Sequence, residues 1–158
     1  MLKAKEDELL DALGAVEGKV ELNLKAIWLD MPAIFQKVAA ANPELSRLKK
    51  ALAGRMIGRD EAIEIGKIIA DGLAARRERV RNEILAMLQD LVADHKDIQL
   101  LGEQMIFNLA VLIPENKQEA FDGIVRDLDE KYKAENAYFK YIGPTPPFNF
   151  IRVPLSLI

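Results

Sequence analysis

The run "MIFNLAVLI", Met105 to Ile113, sets the tightest limit on what this chain can fold into. In an extended backbone, Met105, Phe107, Leu109, Val111 and Ile113 share one face, and Ile106, Asn108, Ala110 and Leu112 share the other. Both faces are apolar apart from Asn108. The segment is far too short to cross a bilayer, and Pro114 closes it. It reads as a sheet strand, and what covers each of its two faces decides what the protein can do.

The surrounding elements follow from period and punctuation. Leu9, Leu13 and Val16 recur at helical spacing among acidic residues, and Gly18 marks the end of that helix. Through "KVELNLKAIWLD" the period falls to two. Val20, Leu22, Leu24, Ala26 and Trp28 point one way and Glu21, Asn23 and Lys25 the other, with Ile27 and Leu29 turning the second face apolar. Asp30 is an N-cap and Pro32 a first-turn residue for a helix over "DMPAIFQKVAAA", which Asn42-Pro43 breaks. A short helix is expected over "PELSRLKKALAG", then a loop from Gly54 to Gly58. The longest helix is expected from Asp60 to Asp94, with Ile65, Ile69, Leu73, Val80, Ile84, Met87 or Leu88, and Leu91 along its apolar stripe. It is too long for a small sheet alone and should pair with the preceding helix.

In the second half, "KDIQLL" reads as a short strand and Gly102-Glu103 as a turn into the apolar strand. "ENKQEAFDGIVRDLDEKYKAE" reads as a helix with Phe121, Ile124 or Val125, and Leu128 facing inward, and "NAYFKYIG" as the last strand. The order is a helix, then β-α(α)-β-β-α-β. That is an α+β, ferredoxin-like pattern elaborated by a long helical hairpin and an N-terminal helix. At 158 residues one domain is expected. It would comprise an N-terminal helix at 1–17, a core at 19–142 with a helical insertion at about 43–94, and a tail at 143–158. In such a sheet the helices cover one face, leaving Ile27, Leu29, Ile106 and Leu112 to share the uncovered one as a partner-binding patch. The alternative is that the N-terminal helix or the C-terminal tail covers it.

The residue inventory does not build a reaction centre. The absence of Cys removes disulfides, thiolate metal sites and Cys nucleophiles, and fits a reducing compartment. His95, the only histidine, reads as a helix-terminal or loop residue beside Asp94 and Asp97, because a metal site needs further ligands at known spacing. With Ser46 and Ser156 as the only serines, no Ser-His-acid order is convincing. "AGRMIGRDE" is neither a P-loop nor a dinucleotide-binding turn. Arg76, Arg77, Arg79 and Arg81 wrap most of the way round a helix with Glu78 and Glu83 interleaved, which reads as a solvated surface rather than a phosphate-binding patch. A net charge of -3 gives no general attraction to nucleic acid or anionic membrane. "MLKAKEDELLDAL" is charged and periodic, unlike a signal segment. The expectation is a soluble, intracellular protein with no catalytic, cofactor or metal site.

The tail "KYIGPTPPFNFIRV" is stiff and aromatic. Gly143 allows a sharp turn, and Pro144, Pro146 and Pro147 favour an extended path. Phe148 and Phe150 alternate with Asn149, so both rings are expected to pack on one surface as a clasp. A docking segment for a partner is the other reading, and "PTPP" also fits the loose PxxP pattern.

"YIGPTPPFNFIRV" resembles the C-terminal signature of the gas vesicle protein F/L family, with Gly143, Pro144, Pro146, Pro147, Phe148 and Phe150 on that signature. "GKVELNLKAIWLD" is similar to the family's Gly-Lys-x-Glu strand, placing Gly18, Lys19 and Glu21. "MIFNLAVLIPENKQEAFDGIV" is similar to its Asn-x-Ala strand and following helix, placing Asn108, Ala110 and Phe121. Thr145 stands where Trp is usual and Phe148 where Tyr is common. Family members usually carry a further N-terminal domain, so the resemblance covers nearly all of this chain but about half of a typical relative. It implies a non-catalytic, minor structural protein of gas vesicle assembly in the prokaryotic cytoplasm, without a cofactor. Its implied partners are the main hydrophobic shell protein and other accessory proteins, and not nucleic acid or membrane. The alternative is a stand-alone ferredoxin-like interaction or regulatory module, self-associating through the same face.

Overall fold

The computed structural model describes residues 2–151. The final part of the expected tail, 152–158, which includes Ser156, lies outside them. Helix α1 (Leu2–Val16) leads through Gly18, at φ +69°, into strand β1 (Lys19–Trp28). Helices α2 (Met31–Ala41), α3 (Pro43–Ala51) and α4 (Arg59–Leu88) follow, then strands β2 (Asp94–Asp97) and β3 (Met105–Pro114), helix α5 (Gln118–Lys131) and strand β4 (Ala137–Thr145). A last 3-10 turn spans Phe148–Phe150. The sheet has the order β2-β3-β1-β4 with each neighbouring pair antiparallel. The α+β class expected from the sequence is what the chain adopts.

Local chemistry accounts for the element ends. The Asp30 carboxylate accepts from Ala33 N–H at 3.1 Å and starts α2. Asn42 ends α2 and starts α3, its side-chain oxygen accepting from Glu44 N–H and Leu45 N–H at 3.0 and 3.2 Å. At 30 residues, α4 is roughly 45 Å long. Its buried residues are Leu73, Val80, Ile84 and Leu88, so its second half lies on the sheet while its first two turns project beyond it.

The first face of the sheet carries the main core. Leu22, Leu24, Ala26 and Trp28 of β1 meet Phe107, Leu109, Val111 and Ile113 of β3 beneath Ile34 and Val38 of α2, the buried α4 stripe, and Phe121, Val125 and Leu128 of α5. Phe121 meets Tyr141 edge to face at 5.3 Å between centroids.

Four expectations are corrected here. The long helix stops at Leu88 rather than Asp94, because Leu91 and Val92 N–H both turn back to the Leu88 carbonyl. His95 therefore lies in the exposed edge strand β2, not at a helix end or in a loop. That strand is Asp94–Asp97 rather than "KDIQLL". It is specified by backbone pairing at its two ends, Ala93 N–H to Leu112 O and Ile98 N–H to Asn108 O, both at 2.8 Å, without any apolar alternation. Finally, α4 makes its helix contact with α2, where Gly72 lets Val38 approach closely, while α3 packs on α2.

Candidate partner surface on the second sheet face

Side-chain parity places Ile106 on the second face, but the register of β3 moves it. Ala26 faces Phe107, whereas Ile27 faces Met105, so Ile106 is an extra residue in a bulge. Its side chain joins the first-face core and is buried. Leu112 does lie on the second face but is covered. With Ala110 it forms a small cluster under Val16, at the end of α1, and Phe150 of the tail, with Ile98 and Ile151 against its margin. Of the four expected patch residues, Ile106 is thus lost to the first-face core, and Leu112 is closed over by the N-terminal helix and the C-terminal tail together.

Polar groups lock the closure. Glu21, buried in β1, receives Asn149 N–H on Oε1 at 2.9 Å and the Asn149 side-chain amide on Oε2 at 2.6 Å. The Thr145 hydroxyl donates to the Glu21 carbonyl at 3.3 Å. Buried Asn108 accepts from the Asn23 amide at 2.9 Å and donates to the Gln99 carbonyl at 3.0 Å, so the single polar residue of the apolar strand is satisfied on both sides. Between Glu21 and Asn23, β4 carries an extra residue. Gly143 sits there at φ +131°, and a Cβ would lie 2.8 Å from the Glu21 carbonyl oxygen, which only glycine avoids. The Gly143-Pro144 peptide is cis, and Pro144 occupies an edge strand, where its missing N–H costs no ladder bond.

The tail departs from expectation at its rings. The 3-10 turn, closed by Phe148 N–H to Pro146 O and Phe150 N–H to Pro147 O, separates the two side chains. Phe150 is buried, while Phe148 is 73% exposed. Strict alternation fails because the backbone there is no longer extended.

What stays open on the second face is the end near Ile27. Ile27 is half-buried and pairs with Tyr138 of β4, and Leu29 just beyond is exposed. Tyr138 and Ile142 are both exposed, and between them Lys140 stands directly opposite Lys25. Two cations facing each other across a strand pair repel, and neither is in an ion pair among the described residues. Sequence reading missed Tyr138, Lys140 and Ile142. Their alternation with Ala137, Phe139 and Tyr141 was a usable signal, once β4 is set beside β1.

The arginine cluster is more structural than its sequence suggests. Arg77 donates Nε to Met105 O at 3.0 Å and a second nitrogen to Glu103 O, and stacks over Trp28 with its Cζ 5.4 Å from the ring centroid. Burial lowers its pKa, with Glu103 opposing the shift. Arg81 grips Asp97 in a fork, Nε to Oδ1 at 2.8 Å and a terminal nitrogen to Oδ2 at 2.6 Å. Both arginines therefore fasten α4 to β2, β3 and their connection rather than offering a phosphate site. The Tyr141 hydroxyl of β4 donates to Asp122 of α5 at 2.6 Å, holding that carboxylate below its usual range. Among the described residues no cluster of His, Cys, Asp and Glu could hold a metal ion, and no helix is long and apolar enough to cross a membrane.

Fold and surface together define an α+β protein whose second sheet face is closed at one end by its own tail and open at the other. The chain belongs to the family described as Gas vesicle synthesis protein GvpL/GvpF, whose profile matches residues 1–152. It is 25% identical over 153 residues to a gas vesicle protein F of Nostoc sp., and 26% identical over 157 residues to one of Dolichospermum flosaquae. Each match takes in 97% of this chain and 62% of the relative. The crystal structure of GvpF from Anabaena sp. superposes with a TM-score of 0.84 at 25% identity, over 98% of this chain and 62% of that one. The chain thus spans just over three-fifths of the length of these relatives.

Five of the residues on which the sequence resemblance rests lie together in the fold. Glu21, Asn108, Ala110, Gly143 and Phe150 come from three separate segments and meet where the tail closes the second face. Gly18 turns α1 into β1 and Phe121 is in the main core, whereas Phe148 is left exposed.

Proposed function

We propose that this chain is a non-catalytic accessory protein of gas vesicle assembly that holds the hydrophobic shell protein through the open end of its second sheet face. The family membership supports the vesicle role. The observation that carries the site is the apolar group of Ile27, Leu29, Tyr138 and Ile142 set around the opposed Lys25 and Lys140. Apolar contact supplies the affinity, and a carboxylate brought by the partner relieves the repulsion between the lysines and fixes the register. In this reading the protein works in the cytoplasm at the growing vesicle, alongside other accessory proteins.

Because Ile106 is a core residue, the informative substitutions are Ile27→Asp with Ile142→Asp. A pull-down with the main shell protein should lose binding in this double variant while its circular dichroism matches the parent. Undiminished capture by the folded double variant would overturn the proposed site.

A further inference from the structure

Two surfaces outside that open patch carry opposite charge. On α1, Leu9, Leu10 and Leu13 are exposed by 38%, 58% and 46%; Glu6, Asp7, Glu8 and Asp11 surround them and outweigh Lys3 and Lys5 of the first turn, leaving the helix net acidic. Among the described residues of α1 only Val16, at the end of the helix, is buried against the body. On the other side of the molecule, α2, α3 and the start of α4 enclose an open groove of about 710 Å³. Ala39, Ala40, Leu45, Leu52 and Ile65 give it an apolar lining. Its polar residues, Gln36, Ser46, Lys49 and Arg55, are exposed. Ile57, also in the lining, is 55% exposed, and Met56 beside it is 97% exposed.

Lys49 and Arg55 are the charged residues of the groove lining, and both are basic. From Leu45 to Arg59 the sequence holds five basic residues and no acidic one, in a chain of net charge -3. Neither Lys49 nor Arg55 is in an ion pair among the described residues.

We propose that α1 of one copy docks into the α2–α3–α4 groove of a second copy, joining this chain to itself head to tail. Leu9 and Leu13, one turn apart with Leu10 beside them, supply the apolar anchors of a helix-in-groove contact. The small side chains of Ala39 and Ala40 leave room for them, and the acidic residues of α1 meet Lys49 and Arg55. A small-molecule pocket would instead carry buried, convergent polar groups. Docking within one chain is blocked by topology. Val16 ties α1 to the second sheet face, whereas Ile34 and Val38 seat α2 on the first. The contact uses two different surfaces, so it need not close as a dimer and extends into longer assemblies.

Sedimentation of the purified chain over a range of concentrations tests this. The parent should grow beyond a dimer as concentration rises, with association weakening roughly ten-fold or more at high salt. Leu10→Glu with Leu13→Glu removes the helix, and Ala40→Glu with Lys49→Glu removes the groove. Each variant alone should stay monomeric with unchanged circular dichroism. An equimolar mixture should form a dimer that grows no further, since it pairs one intact groove with one intact helix. A parent that stays monomeric overturns the proposal. So does a groove variant that self-associates on its own, the result that α1 pairing with α1 would give, and so does a mixture that stays monomeric beside a self-associating parent.

Discussion

Asn149 holds both oxygens of the Glu21 carboxylate, with its backbone N–H on one at 2.9 Å and its side-chain amide on the other at 2.6 Å. The two residues are 128 positions apart, and Glu21 is 6% exposed. Hydrogen bonds to a charged, buried acceptor contribute about 1.5–3 kcal/mol. Glu21→Ala should therefore cost about 2 kcal/mol in a denaturant titration and open the tail to proteases beyond Thr145. Glu21→Gln should cost less. Its amide oxygen still accepts the backbone N–H, and the Asn149 amide can rotate to accept from the new donor. Equal stability of all three proteins would mean that the carboxylate does not hold the tail.

The two rings of the tail should behave oppositely. Phe150 is buried over Ala110 and Leu112, and Phe150→Ala should destabilise by about 2–4 kcal/mol. Phe148 stands in solvent, and Phe148→Ala should stay within about 0.5 kcal/mol. Denaturation midpoints of the two variants, compared at constant slope, give the answer.

How far the sequence speaks can be judged from neighbouring residues. The alternation of Leu22, Leu24 and Ala26, the cap at Asp30 and the break at Asn42-Pro43 are local effects, and each appears where the sequence puts it. Parity misplaces Ile106 because a bulge is a property of two paired strands, and one strand's sequence does not show the partner's register. The edge strand around His95 has no buried face to imprint a pattern, so its start was read two residues late. Glu21 looked outward-facing by parity and does point to the second face. Only the returning tail, far away in sequence, makes that face an interior. The open patch was half legible for the same reason. Ile27 and Leu29 belong to β1, but Tyr138, Lys140 and Ile142 join them only through strand pairing.

The crossing of α2 and α4 rests on Gly72. A Cβ there would lie 2.5 Å from Val38 Cγ1, and Val38 is buried and stiff at its branch. Gly72→Ala gains about 1 kcal/mol of helix propensity but overpacks the crossing by about 1–3 kcal/mol. Net destabilisation is expected. Adding Val38→Ala should recover part of it, so that a double-mutant cycle returns a coupling of about 1 kcal/mol or more. Additive effects would show that the helices shift apart freely.

The Arg81–Asp97 fork ties α4 to the edge strand and gives stability a defined acid dependence. The hydrogen bonds from Arg81 hold the Asp97 carboxyl below its ordinary 3.8 in the folded chain, against a smaller opposing effect of burial. A folded pKa below the unfolded one means that the contribution is complete above the unfolded value and disappears as pH falls through the folded one. The side chains are 28% and 58% exposed, so solvent screening limits the pair to about 0.5–1 kcal/mol. Asp97→Asn should therefore lower stability by up to about 1 kcal/mol at neutral pH. The gap to the parent should narrow below about pH 4 and shrink in high salt. Parallel denaturant titrations from neutral to acid pH test this directly: a gap that persists undiminished in acid would assign the loss to something other than the ion pair.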